Sequence, residues 1–507
     1  MIKGIVILVP GLPGWGLTDG YWESALDNSI FPANLCVLTV KPSPIASHHD
    51  RACEIFAEIT GTLVDYGIEH SQTFKHSRWG KDYSNIPPLY SEWGTSNPIH
   101  LVCHSTAVNT ARVLQRLLED NFWNKETSSK WILSITSING ALNECAVSDV
   151  INKEILHLIS RKFVCKECNN LGCSSCIHIK IQKAAKMLSR SVIWAAISKL
   201  KLNSEQRRQA LNWPVDQWIV DNNNNDNIGV SQCLSDEEVV SKLNSSLKCG
   251  IFSSGDNIIY DQTFDGISKL EEVLNKPSNT NGSLKDVPNF IHNGTFYLCL
   301  FSSATISSTS HIPSEMSPIL WPFSAILLDK TNESCLDDNT KKIIQKIQTV
   351  SSNVDPLRDN DGLVTVVNQC VPRGVGPAFE VFPKHESFQL LNKIVRPGIW
   401  YIDSVNRWID GIQNIELHHD FVCENVSKIN CISNKQKPNF LWDHFDACWS
   451  RTLLKSSQDQ VSLDFQRSLY RNIFLYISSV QLFFENSFKQ SEQCVIDDLC
   501  SPDVSSS

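Results

Sequence analysis

The stretch Ile99-His-Leu-Val-Cys-His-Ser105-Thr-Ala-Val-Asn-Thr-Ala-Arg112 decides how the rest of the chain is read. Ile99 to Val102 is a short apolar run, the pattern of a strand buried on both faces of a parallel sheet. Ala107, Ala111, Leu114 and Leu118 then recur at helical spacing. Between the two, His104-Ser105-Thr106 sits on a strand-to-helix corner. A serine there has two readings. It can cap the helix, or it can ride on a tight turn that lifts its hydroxyl above the sheet edge as a nucleophile. The nucleophile pattern G-x-S-x-G is half met, with the small residues Cys103 and Ala107 where glycines are commonest.

The 507 residues allow up to three average domains, although α/β enzymes run longer as one unit. Hydrophobic content of 42% and charged content of 20% are ordinary for a chain with a large core. The net charge of -9 and the lack of a basic stripe argue against a nucleic-acid partner. No apolar run reaches the roughly 18 residues of a transmembrane helix. The segment Met1 to Pro10 is too short for a signal peptide and lacks a cleavage site, so Gly4 to Val9 reads as the first core strand. The sequence as it stands therefore reads as cytoplasmic, or as secreted if an upstream segment is missing. There are 18 cysteines. Cys103, Cys299 and Cys448 lie inside apolar runs and read as buried free thiols. No disulfide framework can be deduced.

The first strand runs into Pro10-Gly-Leu-Pro-Gly-Trp-Gly16, a glycine-rich loop without the spacing of a nucleotide site. Such a loop offers backbone N–H groups for an oxyanion, because glycines let the main chain approach a reacting carbonyl. Leu35 to Val40, Lys130 to Ile138 and Thr295 to Phe301 read as further strands. Asp50 opens an amphipathic helix, as an N-cap would, and His70 and His76 follow on a loop beyond its end. One Asp and two His suit a borderline metal such as Zn²⁺; His48 and His49 are either competing ligands or plain surface residues. Cys165, Cys168, Cys173 and Cys176 form two C-x-x-C pairs, which fit a second, all-cysteine zinc site or two local disulfides. Ile181 to Leu202 is amphipathic with a cationic face. Asn360-Asp361-Gly362 is a turn before an apolar run, and Leu463 to Phe484 reads as a closing helix.

Taken together, Gly11, Gly14-Trp-Gly16, Asp50-Arg-Ala-Cys-Glu54, Val64-Asp-Tyr-Gly67, His70, His76, Gly80, Tyr83, His104-Ser105 and Thr110-Ala-Arg112 give the chain its resemblance to the staphylococcal- and bacillus-type bacterial lipases. These are zinc-containing α/β-hydrolases. The resemblance is dense from about Ile5 to Ser137 and returns at short motifs, among them Trp213 to Trp218, Asn360 to Val364 and Asp443-His444.

The resemblance implies a mostly parallel central sheet flanked by helices, with a zinc-bearing cap or lid insertion. One domain would cover residues 1–500, with insertions at 145–255 and 405–440 and a frayed tail at 501–507. It implies a Ser105, His444, Asp361 triad, and an oxyanion hole from the backbone of Leu12 and Thr106. Asp216 would complete a structural zinc site with Asp50, His70 and His76. The helix over 181–202 would be a lid that transiently meets a lipid surface. Ca²⁺ is not expected, because Arg451 stands where the family has an acidic ligand. The implied activity is hydrolysis of lipid acyl esters, as in triacylglycerol lipases. Departures from the family pattern are Pro10, Val108 and Asn139-Gly-Ala-Leu-Asn143, which replaces a Thr-Pro-His-x-Gly-Thr segment. They keep open an alternative, a hydrolase-fold scaffold or interaction protein with reduced or lost turnover.

Overall fold

Six consecutive apolar residues, Gly4–Val9, form β1, and every one of them is buried. Ile5, Ile7 and Val9 face one core, while Val6 and Leu8 face another. A strand covered on both faces needs no polar alternation, which is why it reads as an unbroken apolar run. The structure, a computed structural model, describes residues 3–12, 21–43, 45–160, 254–276, 291–305, 320, 324, 327, 337–373, 378–383, 395–410, 444, 446–448 and 459–500.

In chain order, β1 is followed by β2 (Leu35–Thr39), α1 (His48–Thr60), β3 (Leu63–Asp65), α2 (Ile68–Phe74), β4 (Trp79–Asp82), β5 (Ile99–His104), α3 (Ala107–Glu119), β6 (Ile132–Ile138) and α4 (Ala146–Ser160). Then come α5 (Ile258–Asp261), α6 (Phe264–Leu274), β7 (Phe296–Phe301), α7 (Asp338–Val350), β8 (Phe379–Val381), β9 (Trp400–Ser404), α8 (Val405–Asp410) and α9 (Asp459–Cys500). Seven strands make one sheet in the order β2-β1-β5-β6-β7-β9-β8, with every pairing parallel. A separate antiparallel pair, β3 and β4, frames α2. This is the α/β-hydrolase-type architecture expected from the sequence: a parallel sheet flanked by helices.

The strand order explains where a site can form. From β1 the chain moves to one edge at β2, whereas β5, on the other side of β1, leads on to β6 and β7. The loops leaving the carboxyl ends of β1 and β5 therefore diverge, and a crevice opens at this switch in direction. Gly11 and Leu12 follow β1; Ser105 and Thr106 follow β5.

Residues of α1, α3 and α7 join the core on one sheet face, and residues of α8 and α9 the core on the other. Buried aromatics dominate the second, with Trp408, Phe382 and Tyr476 in edge-to-face contact at 5.2–5.8 Å. The closing helix is longer than the apolar pattern indicates, 42 residues over Asp459–Cys500. Cys103, Cys299 and Cys448 are buried free thiols, as expected, and burial pushes each thiol pKa up.

Several expectations fall outside the described residues: Cys165, Cys168, Cys173 and Cys176, the helix over 181–202, Asp216, Arg451, nearly all of the 405–440 insertion and the tail. Among the described residues no helix is long and apolar enough to cross a membrane.

Leu101 lies fully buried at the centre of β5. Replacing it by Ala is expected to cost about 2–5 kcal/mol. In urea unfolding the midpoint should fall while the m-value stays constant.

Candidate active site and metal group

Ser105 is the residue after β5, and its φ of 59° puts it in the left-handed region that non-glycine residues avoid. Backbone bonds hold it there. Its N–H donates to the Ile138 carbonyl at 3.1 Å, and its carbonyl accepts the Ala141 N–H at 3.1 Å. Gly11 packs so close that a Cβ there would meet Ser105 Cβ at 2.5 Å and the His104 carbonyl oxygen at 2.6 Å. Cys103 and Ala107, the stand-ins for the usual glycines, are fully buried.

The imidazole of His444 reaches the hydroxyl, with Nε2 2.7 Å from Ser105 Oγ. On its other side Nδ1 lies 2.8 Å from Asp361 Oδ2. A carboxylate only accepts, so Nδ1 carries the proton and Nε2 is left to accept from Ser105. Asp361 Oδ1 is filled by the backbone N–H groups of Leu363 and Val364, at 3.0 and 2.9 Å, which aims Oδ2 at the ring. The His444 N–H donates to the Asp361 carbonyl at 2.8 Å, so main chain and side chain bind the same pair. All three residues are buried. The structure thus brings together three side chains from distant parts of the chain.

A further layer carries residues to which the sequence assigned no role of their own. His104 Nε2 donates to the His444 carbonyl at 2.8 Å, and His104 Nδ1 accepts from the Tyr21 hydroxyl at 2.6 Å. The same hydroxyl accepts the Gly11 N–H at 3.2 Å. Burial, and then the neighbouring His444, hold the His104 pKa well below the ordinary value, so the ring is a neutral connector. Arg51, fully buried on α1, donates to the Pro10 carbonyl, to the Ser43 carbonyl at 2.6 Å and to Thr110 Oγ1 at 3.4 Å. Burial brings its pKa down to about 10, which still leaves a charge at neutral pH. A guanidinium thus clamps the loop that carries Gly11 and Leu12. The replaced segment at 139–143 still serves as a brace. Asn109 donates to the Ala141 carbonyl at 2.8 Å, and Arg373 N–H donates to Asn143 Oδ1 at 2.8 Å.

The second cluster is Asp50, His70, His76 and Asp256, whose ligand atoms all lie within 4.8 Å of one another. His70 Nε2 is 3.1 Å from Asp50 Oδ1 and 3.3 Å from Asp256 Oδ1, and His76 Nε2 is 3.2 Å from Asp256 Oδ2. Tetrahedral coordination with ligand bonds of about 2.0–2.1 Å separates the ligand atoms by about 3.3–3.4 Å, so the spacing fits a single ion. His76 Nδ1 donates to the Ser77 carbonyl at 2.7 Å, which leaves Nε2 with its lone pair toward the cluster.

The geometry corrects the sequence expectation at two points and adds a residue. Among the described residues the fourth member of the cluster is Asp256, on the turn before α5; Asp216, expected in that role, lies outside the described residues. Ser47, and not Asp50, caps α1, which frees the Asp50 carboxylate to face the cluster. His70 is on the short helix α2, with only His76 on the loop after it. His48 is buried against Thr110 and Gln262, and His49 stacks on the His70 ring at 3.8 Å; neither joins the cluster. The signal for Asp256 was faint: an acidic residue after Gly255, whose φ of 81° turns the chain into α5.

Known proteins are similar to this chain in sequence and in fold. Residues 36–131 match the family described as lipase-like, C-terminal domain. The chain is 33% identical over 104 residues to a lipase of Staphylococcus hyicus, and 26% identical over 241 residues to lipase 2 of Staphylococcus aureus. These stretches are 20% and 47% of this chain. Over these stretches the chain is similar to the staphylococcal lipases. It spans only 15% and 29% of those two lipases' own lengths. Among solved structures, EstA from Clostridium botulinum shares the fold, with a TM-score of 0.54 at 19% identity over 92% of this chain and 87% of that one.

Without a metal, burial by itself draws the His70 pKa down, but hydrogen bonds and charge from Asp256 and Asp50 outweigh it and raise it to about 10. The ring is then protonated at pH 8, and a metal accepts only the neutral form. Loading the metal-free protein with a divalent cation at pH 8 should therefore release at least about one proton per ion. Dye absorbance in a weakly buffered titration reads this directly; a titration without acidification would contradict the site.

Proposed function

We propose that this chain is a serine ester hydrolase acting on acyl esters of lipids, in the manner of triacylglycerol lipases. The observation that carries the reading is the hydrogen-bonded row of Ser105, His444 and Asp361, at 2.7 and 2.8 Å. Ser105 attacks the ester carbonyl while His444 Nε2 takes its proton and later returns it to the leaving alcohol. Asp361 holds the tautomer and stabilises the imidazolium. The developing oxyanion lies against the backbone N–H groups of Leu12 and Thr106, beside the N-terminus of α3, whose dipole favours negative charge.

Asp50, His70, His76 and Asp256 would hold one Zn²⁺. Two imidazoles and two carboxylates close a tetrahedron and leave no position for water or substrate, so the ion is structural. It would tie α1, α2, the loop before β4 and the turn before α5 into one wall beside the site. The scaffold reading finds no support in the geometry, since a chain without turnover has no use for Ser105, His444 and Asp361 in hydrogen-bond register.

The intact protein, in detergent micelles, should take up a fluorophosphonate probe and hydrolyse p-nitrophenyl esters. Ser105→Ala should lose the label entirely. Asp361→Asn, which leaves His444 in the wrong tautomer, should lower kcat by about 10⁴-fold. An intact protein that neither labels nor hydrolyses would end the reading. For the metal, elemental analysis of the full chain should give at least about one Zn per chain, and Asp256→Ala should lose about one equivalent. Full retention of zinc in that variant would remove Asp256 from the ligand set.

A further inference from the structure

Thr106 brings a side chain to the oxyanion pocket as well as a backbone N–H. It opens α3, yet its side chain makes no capping bond to that helix. Instead Thr106 Oγ1 accepts the N–H of Leu12 at 3.0 Å, across 94 residues of sequence. Two facts follow from that bond. First, Oγ1 sits at the distance from the Leu12 nitrogen, about 2.7–3.1 Å, that a bound oxyanion would occupy. Oγ1 therefore lies along the same N–H that faces the oxyanion in the ester-hydrolase reading. Second, a hydroxyl that accepts a hydrogen bond keeps its own proton to give. Thr106 is only 6% exposed, so that proton is shielded from bulk water.

We propose that the Thr106 hydroxyl is a third, side-chain donor to the oxyanion, held in place by the Leu12 N–H, which is shared between Oγ1 and the oxyanion as a three-centre bond. This rests on the ester-hydrolase reading above. As Ser105 Oγ bonds to the carbonyl carbon, the C=O π pair moves onto the carbonyl oxygen and the serine proton passes to His444 Nε2. The Thr106 proton stays on Oγ1 and donates a hydrogen bond to the new oxyanion. On collapse the pair reforms the C=O bond, the alcohol leaves with the proton from His444, and the Thr106 hydroxyl is unchanged. A hydrogen bond to an anion is shorter and stronger than one to a neutral carbonyl, so this contact tightens in the transition state. β-Branching restricts χ1 and keeps the hydroxyl in this setting. A serine would supply the same donor with a looser rotor, and a valine would fill the volume without it.

The test compares the intact protein with Thr106→Val and Thr106→Ser. The readouts are steady-state hydrolysis of p-nitrophenyl butyrate, the rate of fluorophosphonate labelling, and thermal unfolding. Thr106→Val should lower kcat by about 10²-fold, the usual loss for one oxyanion donor, with KM within about twofold. Labelling should slow in parallel, and the melting temperature should stay close to that of the parent. Thr106→Ser should recover most of the lost kcat. A Thr106→Val protein as fast as the parent, or faster, would overturn the proposal, because the hydroxyl would then be idle or an obstruction. Equal losses in the Val and Ser variants would overturn it too, since the donor would not be what matters. Should the intact protein itself fail to label, the hydrolase reading falls and this proposal falls with it; labelling of the parent separates the two failures.

Discussion

The left-handed backbone of Ser105 is the constraint on which the site depends. A non-glycine residue at φ of 59° costs about 1–3 kcal/mol and persists only where its surroundings impose it. Here they do so from three sides. The end of β6 accepts its N–H, Ala141 fills its carbonyl, and Gly11 leaves no Cβ in the way. The elbow thus needs β1, β5 and β6 side by side, which the parallel register of the sheet provides. The segment at 139–143 departs from the family pattern without loosening this arrangement. Asn139, itself at φ of 48°, donates to the Leu300 carbonyl at 2.9 Å and turns the chain so that Ala141 reaches Ser105.

Behind Ser105, His444 and Asp361 stands a layer of buried polar residues that fix main chain. His104 grips the carbonyl of His444, Tyr21 grips His104, and the N–H of Gly11 grips Tyr21. One connected path therefore runs from the loop after β1 to His444. A buried polar network of this kind specifies geometry when each member is satisfied, because each broken link leaves a desolvated group without a partner. Asn360, just before Asp361, adds a turn of its own: its side chain accepts the Gly362 N–H at 2.9 Å.

Helix α1 links the two polar centres of the molecule. Asp50 faces the four-residue cluster, and Arg51, one residue on, clamps the Pro10 carbonyl ahead of the oxyanion loop. Glu54, one turn along, accepts the Ser43 N–H at 2.5 Å and the Tyr66 hydroxyl at 3.1 Å. Burial pushes its pKa up to about 7 against those hydrogen bonds. Side chains at neighbouring positions of one helix thus organise the loop after β1 and the four-residue cluster, so the placement of either depends on the seating of α1.

Strands β1, β2, β5, β6 and β7 were legible in the sequence as short apolar runs, whereas β8 and β9 and the order of the strands in the sheet were not. Ser105, Asp361 and His444 were legible only through motifs in a fixed order, since no local pattern relates residues so far apart. Their contact was decided by the switch in strand direction between β1 and β5, which is a property of the assembled sheet. Asp256 was not legible. An aspartate on a turn looks like any other aspartate until α5 packs beside α1 and carries it to His70 and His76. The same holds for the Thr106 hydroxyl, which meets the Leu12 N–H across 94 residues only because the loop after β1 folds against the start of α3. Local physics sets which segments become strands and helices. Which polar atoms meet is set by packing, where a buried donor must find an acceptor wherever the chain supplies one.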